Sequence, residues 1–164
     1  MGNKPVGVAN SNTKAVGDAA EDLALRYLLK QGLELVQRNY ATPGRGGGEI
    51  DLIMRQADAT LVFVEVRART SSTFGGSAAS ITVRKQQRIV LAARYYLSRL
   101  SVMPACRFDV VTLQGGRGVQ TVEQDQIVWL QARSMHNRVF KQLLNPSMIV
   151  HAFTTHTTTI YRQR

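Results

Sequence analysis

Apolar residues change their spacing several times along the chain, and each change marks an element. Residues 1–14, MGNKPVGVANSNTK, are polar and without period, which predicts a flexible N-terminal arm. Between Val16 and Gln31, the residues Ala20, Leu23, Ala24, Tyr27 and Leu28 recur at helical spacing, and Gly32 stops that helix. LELVQRNY (33–40) alternates like a strand. It runs into ATPGRGGG, where four glycines and a proline exclude regular structure. GEIDLIMRQADATLVFVEVRART (48–70) then sets two β-rich runs either side of a polar break, the pattern of a hairpin. A Ser/Gly-rich loop follows over 70–80. TVRKQQRIVLAARYYLSRL (82–100) is an amphipathic helix with Ile89, Val90, Ala93, Tyr96, Leu97 and Leu100 on its apolar side and Thr82 as N-cap. CRFDVVTL (106–113) predicts a strand, with Phe108 and Val110 inward and Arg107 and Asp109 outward as a surface pair. GGRG (115–118) turns it toward a last strand around Thr121–Leu130.

Helix, strand, hairpin, helix, strand, strand is the order of a mixed α/β sandwich built around a central sheet. With 164 residues, 44% of them hydrophobic, there is enough apolar material for one domain with a real core. That domain is expected to span residues 15–132. Residues 133–164 read as a basic C-terminal tail, with a short helix near 136–144. From Gln126 onward the chain carries no acid, while Arg133, Arg138, Lys141, Arg162 and Arg164 are all basic.

Charge narrows the partner. There are 21 Lys and Arg against 11 Asp and Glu, a net charge of +10, which points to a polyanion, with nucleic acid ahead of an anionic membrane. No apolar stretch approaches the length of a membrane span, and the polar start lacks a signal-peptide core. The single cysteine, Cys106, excludes an internal disulfide and fits a reducing cytoplasm. With three scattered histidines it offers no zinc spacing.

The hairpin holds the candidate chemistry. Alternation puts Glu49, Asp51, Ile53 and Arg55 on one face of its first strand, and Leu61, Phe63, Glu65 and Arg67 on one face of its second. Folding it about Asp58, with QADAT (56–60) as the loop, sets Arg55 against Leu61, Ile53 against Phe63, Asp51 against Glu65 and Glu49 against Arg67. Two carboxylates facing each other beside apolar neighbours repel and lose hydration, unless a cation sits between them. Oxygen ligands suit Mg²⁺ or Mn²⁺, and Arg67 points toward the same place. These are parts for phosphodiester hydrolysis, in which a metal activates water and a cation stands beside the phosphorane. The spacing equally allows an ordinary hairpin with solvated acids and a Glu49–Arg67 salt bridge.

GEIDLI followed by FVEVRAR resembles the signature of the YraN-like uncharacterised protein family. The likeness extends over GDAAEDLALRYL (17–28), QRNY (37–40), FGG (74–76), Lys85 and CRFDVV (106–111), roughly residues 14 to 132. It implies a restriction-endonuclease-like three-layer sandwich, a central mixed sheet flanked by helices, similar to archaeal Holliday-junction resolvases. In nucleases of that fold the pattern is PD…(D/E)xK. Asp51 matches the first acid and Glu65 the second, Glu21 is the helix-borne acid, and Ile50 stands in the proline position. Glu21 also lies beside an apolar stripe, where a charge is costly unless paired. Arg67 replaces the lysine of the pattern. Arginine stabilises a phosphorane but stays charged, so it is a poor general base. Lys85 offers an amine from the next helix, or is simply a solvent-facing lysine.

The resulting expectation is a Mg²⁺- or Mn²⁺-dependent endonuclease-like protein acting on DNA, including branched or processed forms. Asp51 and Glu65 are the metal ligands, Glu21 supports metal or water, and Arg67 holds the scissile phosphate. Arg38, Arg45, Arg69, Arg84 and Lys85 are the candidates for gripping the nucleic-acid backbone. The resemblance further implies that two copies can pair as a homodimer. The alternative is a binding module that keeps the fold and no longer cuts. A third reading is an interaction protein whose basic tail docks on an acidic partner.

Overall fold

A computed structural model describes residues 9–69, 82–114 and 127–131. Its elements are α1 (Ala9–Lys30), β1 (Glu34–Ala41), β2 (Glu49–Arg55), β3 (Leu61–Arg69), α2 (Val83–Leu97), β4 (Cys106–Gln114) and β5 (Ile127–Gln131). The strands form one sheet in chain order, β1-β2-β3-β4-β5. Neighbours are antiparallel except β3 and β4, which run parallel. A parallel pair cannot be closed by a tight turn, and α2 lies in the connection between them.

The two helices cover opposite faces, which makes three layers. Ala20, Ala24 and Leu28 of α1 pack with Leu52, Met54, Val62, Val64, Val111 and Leu113. Ile89, Val90, Ala93 and Leu97 of α2 pack with Ile53, Phe63, Phe108 and Val110 on the other side. Strands buried on both faces carry apolar residues at successive positions, which accounts for the unbroken runs LIM and LVFV. The α/β sandwich expected from the element order is the architecture found.

The ends of both helices follow from local sequence. Gly32, with φ of 84°, closes α1: Leu33 N donates to Leu28 O and Gly32 N to Leu29 O, the paired bonds of a Schellman ending. Thr82 caps α2, its hydroxyl accepting from Lys85 N at 3.3 Å. In the hairpin, Arg55 pairs with Leu61 and Ile53 with Phe63 as predicted, so residues 56–60 are the loop. Asp58 Oδ1 accepts from Thr60 N at 2.9 Å and Ala59 takes the left-handed conformation that lets the chain turn back.

Three expectations are corrected. Residues 9–14, expected as the end of the flexible arm, are the first part of α1. Helix α2 ends at Leu97, and Leu100 is exposed beyond it rather than on the apolar side. The last strand is described over Ile127–Gln131, within and just past the expected range, and residues 121–126 of that expectation lie outside the described residues. Arg107 and Asp109 are not a surface pair, because both are buried. Both Asp109 oxygens accept from Arg107 Nε at 3.1 Å, and Asp109 Oδ2 also accepts from Trp129 Nε1 at 2.9 Å. Arg107 Nη1 donates to Gln56 at 2.6 Å, and its guanidinium lies over the Trp129 ring. The pair sits on the face that α1 covers, and β5 places Trp129 across it, so the two charges neutralise each other under an aromatic lid. The predicted tail, residues 133–164, and the loop carrying FGG lie outside the described residues.

Candidate functional site

The β2–β3 ladder pairs Leu52 with Val64, and the next residues on, Asp51 and Glu65, begin the site. Here backbone pairing gives way to a side chain: Asp51 Oδ2 accepts the Val66 N–H at 2.7 Å. Strand alternation also breaks at this point. Ile50, due on the α1 face, packs instead with Ile53 in the core under α2. Across from Asp51 on β1, between the pairs Arg38–Leu52 and Tyr40–Ile50, stands Asn39 with φ of 49°. Asparagine is among the few side chains that tolerate this left-handed conformation, and such distortions concentrate at functional positions.

Both hairpin acids are buried. The cation between them comes from α2: Lys85 Nζ is 3.0 Å from Glu65 Oε2 and 3.8 Å from Asp51 Oδ1. The alternative of a solvent-facing lysine is therefore wrong, and Lys85 is directed at the acids rather than at an outer surface. The Glu65 contact is an ion pair made by a fully buried Oε2. Burial and then the Asp51 charge push the Glu65 carboxyl up to about 7, with Lys85 pulling the other way. Arg67 stands at the margin, its Nε 3.9 Å from Glu65 Oε1. The Glu49–Arg67 bridge of the ordinary hairpin does not form, since Glu49 pairs with Arg88 of α2 at 3.5 Å.

Glu21 reaches the same end of the sheet from α1. Its pKa is raised, first by burial and then by the charge of Asp51, while Arg38 and a hydrogen bond with Asn39 oppose the shift. Its Oε2 is buried and has no hydrogen-bond partner. Among the described residues, no three Asp, Glu, His or Cys side chains gather closely enough to cage a metal. The donor set instead fits a hard divalent cation held by two carboxylates, with water and phosphate completing the shell. Such an ion would take the place that Lys85 Nζ now occupies beside Glu65 Oε2, and the buried Glu21 Oε2, without a hydrogen bond, is a further acceptor at the edge of that shell.

The remaining predicted residues scatter. Arg38 is taken up by α1, at 2.7 Å from Asp22 and 3.9 Å from Glu21. Arg45 is exposed at the tip of the glycine loop, between Gly44 and Gly46, which both have positive φ. Arg84 is exposed in the first turn of α2, and Arg69 is the last residue of β3.

Three contributors were missed from sequence. Asn39 was passed over as one residue of an alternating run. Arg88 was overlooked, although it lies one helical turn from Lys85; its Nε donates to Gly47 O at 3.0 Å. Gly48 was counted only as a loop residue. A Cβ there would lie 2.1 Å from Arg88 O and 2.5 Å from Ala92 N, so only glycine lets β2 begin against α2.

The model of a family described as Uncharacterised protein family UPF0102 matches residues 20–113. A protein of Albidiferax ferrireducens, called UPF0102 protein, is 61% identical over 120 residues, covering 73% of this chain and 87% of its own length. One of a Polaromonas species with the same name is 58% identical, over 73% of this chain and 80% of its own. Another, of Paracidovorax citrulli, is 54% identical over 78% and 89%.

Proposed function

Since the chain belongs to the uncharacterised protein family UPF0102, whose name assigns no activity, we propose a function from the chemistry of its own site: metal-dependent hydrolysis of nucleic-acid phosphodiesters. The observation that carries this reading is the convergence of Asp51 and Glu65 on one cation position, which Lys85 Nζ approaches to 3.8 and 3.0 Å. Glu21 brings a third carboxyl from α1, near enough for the Asp51 charge to raise its pKa. Asp51 and Glu65 are the groups that would hold Mg²⁺ or Mn²⁺. Such an ion, when bound, neutralises phosphate charge and eases deprotonation of water.

Lys85 then supplies what Arg67 cannot. Its amine, three donors on a flexible stem, can orient a water beside the acids, whereas the planar guanidinium of Arg67 steadies the phosphate oxygens. Glu21, with its carboxyl raised toward the neutral form, is suited to accept or hand on a proton at the edge of the site. The +10 net charge supports a nucleic-acid substrate, and DNA, including branched forms, is the substrate class we assign. Among the described residues no helix is long and apolar enough to cross a membrane. The buried Cys106 thiol, its pKa pushed up to about 12 by desolvation, is inert, in keeping with the cytoplasmic location we assign.

The test is cleavage of linear, single-stranded and branched DNA with Mg²⁺ or Mn²⁺. Asp51→Asn and Glu65→Gln are expected to abolish cutting while leaving binding in place. One observation favours the non-catalytic binding module: Lys85 Nζ, 3.0 Å from Glu65 and 3.8 Å from Asp51, competes with a metal for the same acids. DNA binding that survives EDTA, with no cleavage of any substrate by the wild-type chain, would establish that module and end the nuclease reading.

A further inference from the structure

The two helical layers differ in charge. Helix α1 carries Asp18, Glu21 and Asp22 among its cations, whereas α2 carries Arg84, Lys85, Arg88 and Arg94 and no acid at all. The buried side of α2 is Gln86, Ile89, Val90, Ala92, Ala93 and Leu97. Its opposite side therefore presents Arg84, Arg88, Leu91, Tyr95 and, just past the helix, Arg99, spaced by three or four residues along one line. Leu91 is 44% exposed and Tyr95 38%, so an apolar and an aromatic side chain stand between the cations on this line. The Arg99 guanidinium lies 5.7 Å from the Tyr95 ring centroid. Arg88 anchors this line to the glycine loop through Gly47, and that loop carries exposed Arg45. Lys85, next to Arg84, turns from the head of the line into the acids.

We infer that this outer stripe of α2 is the docking surface for a single strand of nucleic acid. The inference rests on the nucleic-acid reading above and names the part of the substrate that reaches the site. Arg84 and Arg99 engage phosphates, Arg88, already paired with Glu49 and Gly47 O, holds the glycine loop beside them, and Tyr95, with Leu91 next to it, takes an unpaired base. A sugar-phosphate chain needs cations at intervals, while an unpaired base needs a flat apolar surface between them. From Arg84 to Arg99 the line is about 22 Å long at helical rise, room for roughly six stacked nucleotides. Arg38 has no share in it, because α1 acids already hold that side chain. Duplex DNA offers phosphates but no free base, so Tyr95 separates the two substrates.

The experiment is fluorescence anisotropy in EDTA, which removes cleavage, with the full chain and a labelled oligonucleotide of about 20 nucleotides, single-stranded or duplex, from about 50 to 200 mM salt. The variants Arg84→Ala/Arg99→Ala and Tyr95→Ala alter exposed side chains, and circular dichroism verifies their fold. Arg26→Ala and Arg55→Ala, on other faces, serve as controls. The double variant is expected to flatten the salt dependence of single-strand binding by about 1.4 in log–log slope, roughly 0.7 per phosphate contact. Tyr95→Ala is expected to weaken single-strand binding about tenfold and duplex binding by less than about twofold. Stripe variants that bind like the controls would overturn the inference, as would tighter binding of duplex with Tyr95→Ala silent, or no binding at the lowest salt. A chain that binds through the stripe but never cuts fails only the nuclease reading, and one that cuts with the stripe variants silent fails only this one.

Discussion

Gly48→Ala tests how the site is held together. The added methyl would meet Arg88 O at 2.1 Å, Ala92 N at 2.5 Å and the Ala92 Cβ at 2.9 Å. Two of those atoms are backbone in the middle of α2, so no side-chain rotation relieves the clash, and the helix must back away by about 1 Å. Overpacking of this kind costs about 1–3 kcal/mol, and the rigid neighbours place Gly48 at the upper end. At roughly 2–4 °C per kcal/mol for a chain of this size, Tm should fall by about 6–12 °C. Two other glycines calibrate the result. Gly44, with φ of 92° and open space around it, should lose only the strain of a left-handed alanine, about 1 kcal/mol. Gly17, within α1 and unobstructed, should gain about 0.5–1 kcal/mol as alanine. Because Lys85 rides on α2, backing away should also separate its ammonium from the acids, so Gly48→Ala should lose cleavage beyond its loss of folded protein. Urea melts of the three variants give the order Gly17→Ala, wild type, Gly44→Ala, Gly48→Ala. A Gly48→Ala chain within about 0.5 kcal/mol of wild type would refute the proposed contact between loop and helix.

Two further outcomes follow from buried charge. The Glu65 carboxyl titrates near 7 when folded and near 4.5 when exposed, so the folded chain binds the extra proton between those values, and stability should fall as pH rises from about 4.5 through 7. The shift corresponds to roughly 3 kcal/mol, so Glu65→Gln should flatten urea-melt stability across that window, and an unchanged slope would contradict the burial argument. At pH 8, millimolar Mg²⁺ should raise the Tm of wild type and leave Glu65→Gln unmoved, which thermal melts with and without EDTA will read. Asp109→Asn leaves the Arg107 guanidinium buried without its counter-charge, at a cost of about 3–5 kcal/mol. Its Tm should drop by about 6–20 °C. A drop under about 2 °C would mean that the Arg107–Asp109 pair is hydrated after all.

The sequence was most legible where one period governs a whole segment. The hairpin register could be read because a one-residue slip would send Ile53 and Phe63 to opposite faces, and the paired strands keep that register up to Leu52 and Val64. It was least legible where a strand departs from alternation. The break at Ile50 lies beside Asn39, left-handed on the neighbouring strand, and no period within either segment records that pairing. Arg107 and Asp109 misled for a related reason. Alternation put them together on one face, but whether that face met solvent depended on where α1 and Trp129 would lie. Lys85 was ambiguous because a first-turn lysine faces water or a strand end according to how the helix docks, and the docking is set by Gly48, far away in sequence.

Arg67, in the place where the nuclease pattern has a lysine, is balanced by Lys85 from another element. The requirement of such a site is an amine near the two acids, not an amine two residues past the second one. Lys85 Nζ at 3.0 Å from Glu65 is nearer that carboxylate than Arg67 Nε at 3.9 Å. On the proposed reading, arginine two residues along β3 and lysine on α2 would divide between them what one side chain does in the pattern, the guanidinium at the margin and the ammonium beside the two acids. That division predicts unequal effects. Lys85→Met should remove activity, because it deletes the amine beside the acids and leaves Asp51 and Glu65 without that cation. Arg67→Lys should keep most activity, since it returns a cation to the same strand position. If instead Arg67→Lys restores cutting to a Lys85→Met chain, the amine acts from either place and the two positions are interchangeable. If neither substitution alters cleavage, the cation between the acids is structural and catalysis does not pass through it.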